Sequence, residues 1–165
     1  MGSHLNDLIS KAEELAKHGE SEGAMSVANE LVEQHPNEIN VWFLRAYLHE
    51  LRNHYAEAIA DLTHAIDINA DEPHFFYSRG RYNFALGDAQ SAIHDFNKGL
   101  ALCDKHDSDY YREELHFWRA EALLRLGKKQ EALSDLGSVR NDFSSWTYKL
   151  RTKEELLADC RRLPG

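Results

Sequence analysis

The sequence predicts an all-α fold of stacked helix pairs, and three observations carry that prediction. Columns of like residues recur at a fixed interval, apolar residues within each copy recur three and four apart, and a Gly or Asn stands midway through every copy.

Ala24, Ala58 and Ala92 stand 34 residues apart, and Ala132 follows after 40. Ala12, Ala46, Gly80 and Ala120 form a small-residue column with the same steps. Met25, Ile59, Ile93 and Leu133 form an aliphatic column, and Ala28, Leu62, Phe96 and Leu136 a third. A small residue on the first helix of a copy lets the second approach closely. Trp42 and Phe76, with Leu62 and Phe96 opposite, then fill the space beside the contact. No copy can bury its apolar face alone, so the copies stack.

Taken in order, residues 1–4 (Met1-Gly2-Ser3-His4) read as an expression-vector remnant. The first copy covers 5–38 and closes on Pro36; the second covers 39–72, the third 73–106 and the fourth 107–144. Gly19, Asn53, Gly87 and Gly127 share the turn column, where a helix C-cap needs a left-handed residue. Six extra residues fall near Lys105 to Tyr110, and Asp107 or Ser108 as an N-cap predicts an early start and a lengthened first helix in the fourth copy. Residues 145–165 read as a linker and a closing helix. Thr152-Lys153-Glu154-Glu155 is a capping box that opens this helix, which runs through Leu163.

Composition narrows the function classes. A chain of 165 residues suits one compact domain that buries its own core. Asp and Glu number 28 against 19 Lys and Arg, a net charge of −9, which disfavours a nucleic-acid partner and suits a basic one. Residues 5–40 hold eight acids and two bases, whereas 145–165 hold five bases and three acids. Cys103 and Cys160 have no metal-ligand spacing and read as reduced thiols. With no apolar run of about 20 residues and no signal-peptide pattern, a cytoplasmic location is expected.

The 34-residue step, the small columns, the Gly turn and the aromatic that opens the second and third copies resemble the tetratricopeptide repeat over residues 5 to about 144. Tyr77-Ser78-Arg79-Gly80 with Gly87-Asp88, Ala92 and Asp95-Phe96 is the clearest copy; Leu8 and His116 depart from the aromatic column. The resemblance implies a right-handed α-α superhelix, a solenoid of about four helix pairs plus a C-terminal capping helix. It also implies that the first helices line a concave groove for an extended or helical peptide. Four-residue spacing puts Phe43 with Tyr47, Tyr77 with Arg81 and Phe117 with Glu121 on the groove face, flanked by Phe84, Trp118 and Leu124. Aromatics with an Arg dominate interface energies, so Phe43, Tyr47, Tyr77, Arg81, Phe84, Phe117 and Glu121 form the candidate partner-binding groove. The alternative is that these aromatics pack between copies or under the cap, Trp118 above all. Some family members hold a chaperone's C-terminal carboxylate with Lys and Asn here. This chain instead has Ile9, Phe43, Tyr77 and Phe117 in one groove column and Glu13, Tyr47, Arg81 and Glu121 in the next, so a co-chaperone role is not expected.

Other chemistry-bearing residues read as structural. Arg45, Arg79 and Arg119 repeat in register with Asp61, Asp95 and Asp135, which predicts internal ion pairs rather than a ladder of ligand contacts. His49 and His54 resemble a zinc-protease helix but stand five apart, off a shared face. Cys103, Asp104, His106, Asp107 and Asp109 lack the Gly and distal Glu of a calcium loop. No catalytic residue, metal site or cofactor is expected. The expected function is a protein-interaction adaptor or scaffold, with end-to-end homo-oligomer stacking open to it. The alternative is an inhibitor, such as an immunity protein neutralising a basic toxin or nuclease, to which the distinctive segment Trp146-Thr147-Tyr148-Lys149-Leu150-Arg151-Thr152 is suited.

Overall fold

Helix pairs account for nearly all of the computed structural model, which describes residues 2–145 and 151–164, with residues 2 and 3 as backbone only. Of the distinctive segment before the last helix, Trp146 to Leu150 lie outside the described residues. Contacts divide the chain into two units, residues 1–71 and 72–165, where the length had suggested one domain.

The first unit holds α1 (Gly2–Lys17), α2 (Ser21–Gln34), α3 (Ile39–Leu51) and α4 (Tyr55–Ile68). The second holds α5 (Pro73–Ala85), α6 (Ala89–Lys105), α7 (Arg112–Arg125), α8 (Lys129–Gly137), the two-residue antiparallel strands β1 (Ser144–Ser145) and β2 (Arg151–Thr152), and α9 (Lys153–Arg162). α1 therefore runs back to Gly2, into the residues read as a remnant.

The turn column works as its chemistry demands. Gly19, Asn53, Gly87 and Gly127 all adopt positive φ. After each, the next amide reaches back to the third-last helical carbonyl, as in Asp88 N to Asn83 O at 2.9 Å and Glu20 N to Leu15 O at 2.9 Å. This is the Schellman closure, which satisfies carbonyls left over at a helix end and turns the chain into the next helix.

The six extra residues do not lengthen the fourth copy's first helix. α6 has 17 residues where α4 has 14, and α7 begins only at Arg112. Asp107 is the reason: its φ is +50°, and Ser108 N bonds to Cys103 O at 3.0 Å, so it ends α6 by the same Schellman closure instead of capping α7. Arg112 then pins the turn by pairing with Asp104 and Asp109.

Each unit has its own core. In the first, Ala12, Ala24, Ala28, Leu31, Val41 and Leu44 are buried, with Ile9, Trp42 and Tyr47 packed against them. The Trp42 indole donates to Pro36 O at 2.8 Å and stacks on His64, which fixes the chain between copies. In the second, Phe96, Leu115, Phe117, Trp118, Leu136 and Leu156 form the centre. A β-carbon on Gly80 would stand 2.5 Å from the Phe96 ring, so only glycine permits this approach. The capping box forms as expected, with Thr152 Oγ accepting from Glu155 N at 3.2 Å and Glu155 Oε2 accepting from Thr152 N at 2.9 Å.

Candidate functional site

The repeated Arg and Asp residues are internal. Asp61, Asp95 and Asp135 on the second helices are almost fully buried, at 3%, 2% and 3% exposure. Arg45 grips Asp61 through both oxygens at 2.9 and 2.7 Å, and Arg79 grips Asp95 at 3.0 and 2.7 Å. Arg119 does the same to Asp135, which His116 Nδ1 also meets at 2.8 Å. Fork-to-carboxylate geometry uses both lone-pair faces and leaves the guanidinium other donors. Arg45 gives one to Asn29 on α2 at 3.2 Å, and Arg119 gives one to Asn97 on α6 at 2.6 Å. Arg45 and Arg119 thus each tie three helices, a role in which Asn29 and Asn97 escape sequence reasoning although they stand two 34-residue steps apart. Burial pushes the Asp135 carboxyl up, but the bonds from Arg119 and His116 outweigh it and hold it below the ordinary range.

In the first unit the faces of α1 and α3 enclose a groove of about 500 Å³. Four residues come from each helix: Asn6, Ile9, Ser10 and Glu13, and Asn40, Phe43, Leu44 and Tyr47. Three- and four-residue steps along each helix put these on one face. The floor is apolar, made by Ile9, Phe43 and Leu44. Asn6, Ser10, Glu13, Asn40 and the Tyr47 hydroxyl stand at the wall, and none has a hydrogen-bond or ionic partner among the described residues. Apolar pockets of this size with a few convergent polar groups are the usual form of a binding site. Phe43 and Tyr47 of the sequence-predicted groove lie here. Asn6, Ser10 and Asn40 were missed, although Asn6 and Asn40 repeat at the 34-residue step, three residues before Ile9 and Phe43.

The equivalent face of the second unit is occupied. Tyr77 packs on Tyr111 at 5.3 Å, and Arg81 lies over the rings of Tyr77 and Trp118 at 5.4 and 5.7 Å. Burial raises the Tyr77 hydroxyl against the opposing pull of Arg81. Phe84 and Phe117, expected in the groove, are core residues at 3% and 0% exposure. Phe84 meets Trp118 edge-on at 5.7 Å, and Phe117 meets Phe143 at 5.1 Å. Packing between helices and against the C-terminal segment has taken them, as it has Trp118. Glu121 is held by Arg151 at 3.5 Å, and Arg151 by Asp159 on α9 at 2.7 Å. Burial raises the Glu121 carboxyl, opposed by Arg151 and Arg125. A smaller cavity of about 310 Å³ remains beside α9, lined by Phe84, Leu124, Arg125, Arg151 and Arg162 among others.

His54 follows the left-handed Asn53 and leads into α4, and its ring lies 6.1 Å from that of His49 on α3. No cluster among the described residues has three groups able to hold a metal, and no helix among them is long and apolar enough to cross a membrane. Both cysteines are free and buried, and burial raises both thiols.

The tetratricopeptide repeat profile matches residues 9–73 and 52–109. No curated relative matches the sequence. Among solved structures, the fold is similar to MamA, with a TM-score of 0.73 and 15% identity over 83% of this chain and 72% of that one. It is similar to YrrB, described as a tetratricopeptide protein with an unusual peptide-binding site, with a TM-score of 0.68 and 19% identity over 79% of this chain and 64% of that one. It is also similar to the type III secretion chaperone SycD of Yersinia enterocolitica in complex with a peptide of the translocator YopD (TM-score 0.68, 16% identity, 75% of this chain, 95% of that one). The two profile matches together span more than half of the chain, and the helix pairs, their Schellman turns and the small-residue columns agree with them: this chain belongs to the tetratricopeptide repeat family.

Proposed function

We propose that this chain is a non-catalytic interaction module, an adaptor or scaffold that takes a peptide or helix of a partner protein into the groove of its first helices. The observation that carries this reading is the α1–α3 groove, with its apolar floor and its wall of side chains that make no bond among the described residues. Two structures of like fold, YrrB and SycD, are described with a peptide site and a bound peptide. The two free thiols suit a reducing compartment and support a cytoplasmic setting for the module.

The test is affinity capture from host lysate with the wild type and with a Phe43→Ala, Tyr47→Ala double variant shown by circular dichroism to be folded. One partner held by the wild type and lost from the variant is the expected result. Equal capture by both would remove the groove from the reading.

A further inference from the structure

Resting on that reading, we propose that the α1–α3 groove selects an extended peptide segment that carries a bulky apolar side chain with a Lys or Arg beside it. Three features of the groove specify this occupant.

The floor of Ile9, Phe43 and Leu44 offers apolar surface from which water is displaced when an aliphatic or aromatic side chain enters. Glu13 on the wall has no cation among the described residues, and it stands in a stretch, residues 5–40, with eight acids and two bases. A Lys or Arg next to the apolar anchor meets that charge, whereas an acidic segment or a phosphate backbone is repelled by it. Asn6, Ser10 and Asn40 supply amide and hydroxyl groups with no partner of their own among the described residues. An extended main chain brings unpaired N–H and C=O groups to such side chains, while a helix has already paired its own, so the polar wall favours the extended form.

The experiment is selection of a displayed library of random linear peptides on the intact chain, in parallel with selections on Glu13→Lys and Phe43→Ala. Affinities of the enriched sequences are then measured by fluorescence anisotropy at low and high salt. Glu13 is exposed, so its reversal leaves the fold intact even if Phe43→Ala weakens it. The expected sequences join an apolar residue to a neighbouring Lys or Arg. They bind Glu13→Lys about tenfold more weakly, a loss that shrinks as salt rises, and Phe43→Ala at least about as weakly again. Enriched peptides without the basic residue, or with affinities untouched by Glu13→Lys, would overturn this selectivity and leave the peptide-binding reading standing. No enrichment at all would overturn both.

Discussion

Ile9, Glu13, Phe43 and Tyr47 in the first unit hold the same repeat positions as Phe117 and Glu121 in the second, yet the first set lines an open groove and the second is closed. The residue types do not explain this, since each set has a large apolar side chain one turn before a polar one. What differs is what lies against them. After α8 the chain returns to α7 through Phe143, Arg151 and α9, so Phe117 gains a ring partner and Glu121 gains Arg151. A column in a repeat fixes direction; accessibility depends on the neighbour that direction points at.

The comparison can be broken most sharply at its two phenylalanines. Phe117→Ala removes a fully buried ring, and urea unfolding should show a loss of about 3 to 5 kcal/mol, against about 1 kcal/mol for the half-buried Phe43→Ala. Equal losses would mean that Phe43 is as much a core residue as Phe117. Next in size is Asp95→Ala, which leaves Arg79 beside a buried gap. The partly solvated guanidinium limits the cost to about 3 kcal/mol, seen as a lower denaturation midpoint.

Glycines separate the units too. Gly80→Ala drives a methyl into Phe96 and should cost about 1 to 3 kcal/mol. Gly23→Ala, where the nearest atom is a Leu15 carbon 3.7 Å away, should instead stabilise α2 by about 0.5 to 1 kcal/mol. Thermal melts of the two variants moving in the same direction would contradict the packing described.

The smallest effect concerns pH. The depressed Asp135 carboxyl contributes stability that is present above its unfolded pKa and lost as pH falls through its lower folded value. The raised Glu121 carboxyl acts with the opposite sign: its contribution is complete below its unfolded pKa and is lost as pH rises through its higher folded value. Melting curves between about pH 3 and pH 7 should therefore lose part of their acid limb in Asp135→Asn and part of their decline above about pH 4.3 in Glu121→Gln. Unchanged curves for both would show that neither carboxyl is coupled to folding.

Much of the fold was legible because its rules act locally or repeat at a fixed step. Gly or Asn marks each turn and Thr152 with Glu155 marks the last helix, both within a few positions, and the alanine columns that mark close helix contact are legible because they repeat at the 34-residue step. The insertion was misplaced because Asp serves both as an N-cap and as a left-handed helix terminator, and only the bond from Ser108 to Cys103 decides between them. In the site, Phe43 and Tyr47 were found by four-residue spacing. Phe84 and Phe117 were assigned outward because spacing cannot register the Trp118 ring or the return of Phe143. Asn6 and Asn40 went unnoticed because a polar residue on a helix carries no signal until the groove beside it is seen.

The central claim is that the first unit's groove is open to a partner while the second unit's is filled by the chain itself. Amide and side-chain NMR shifts of the intact protein, followed as a library-selected peptide is titrated in, test it most directly. The account predicts that perturbations gather on α1 and α3 around Ile9, Glu13, Phe43 and Tyr47, and leave Phe117, Glu121 and α9 in place. Perturbations centred on α7 and α9, with α1 unmoved, would contradict it.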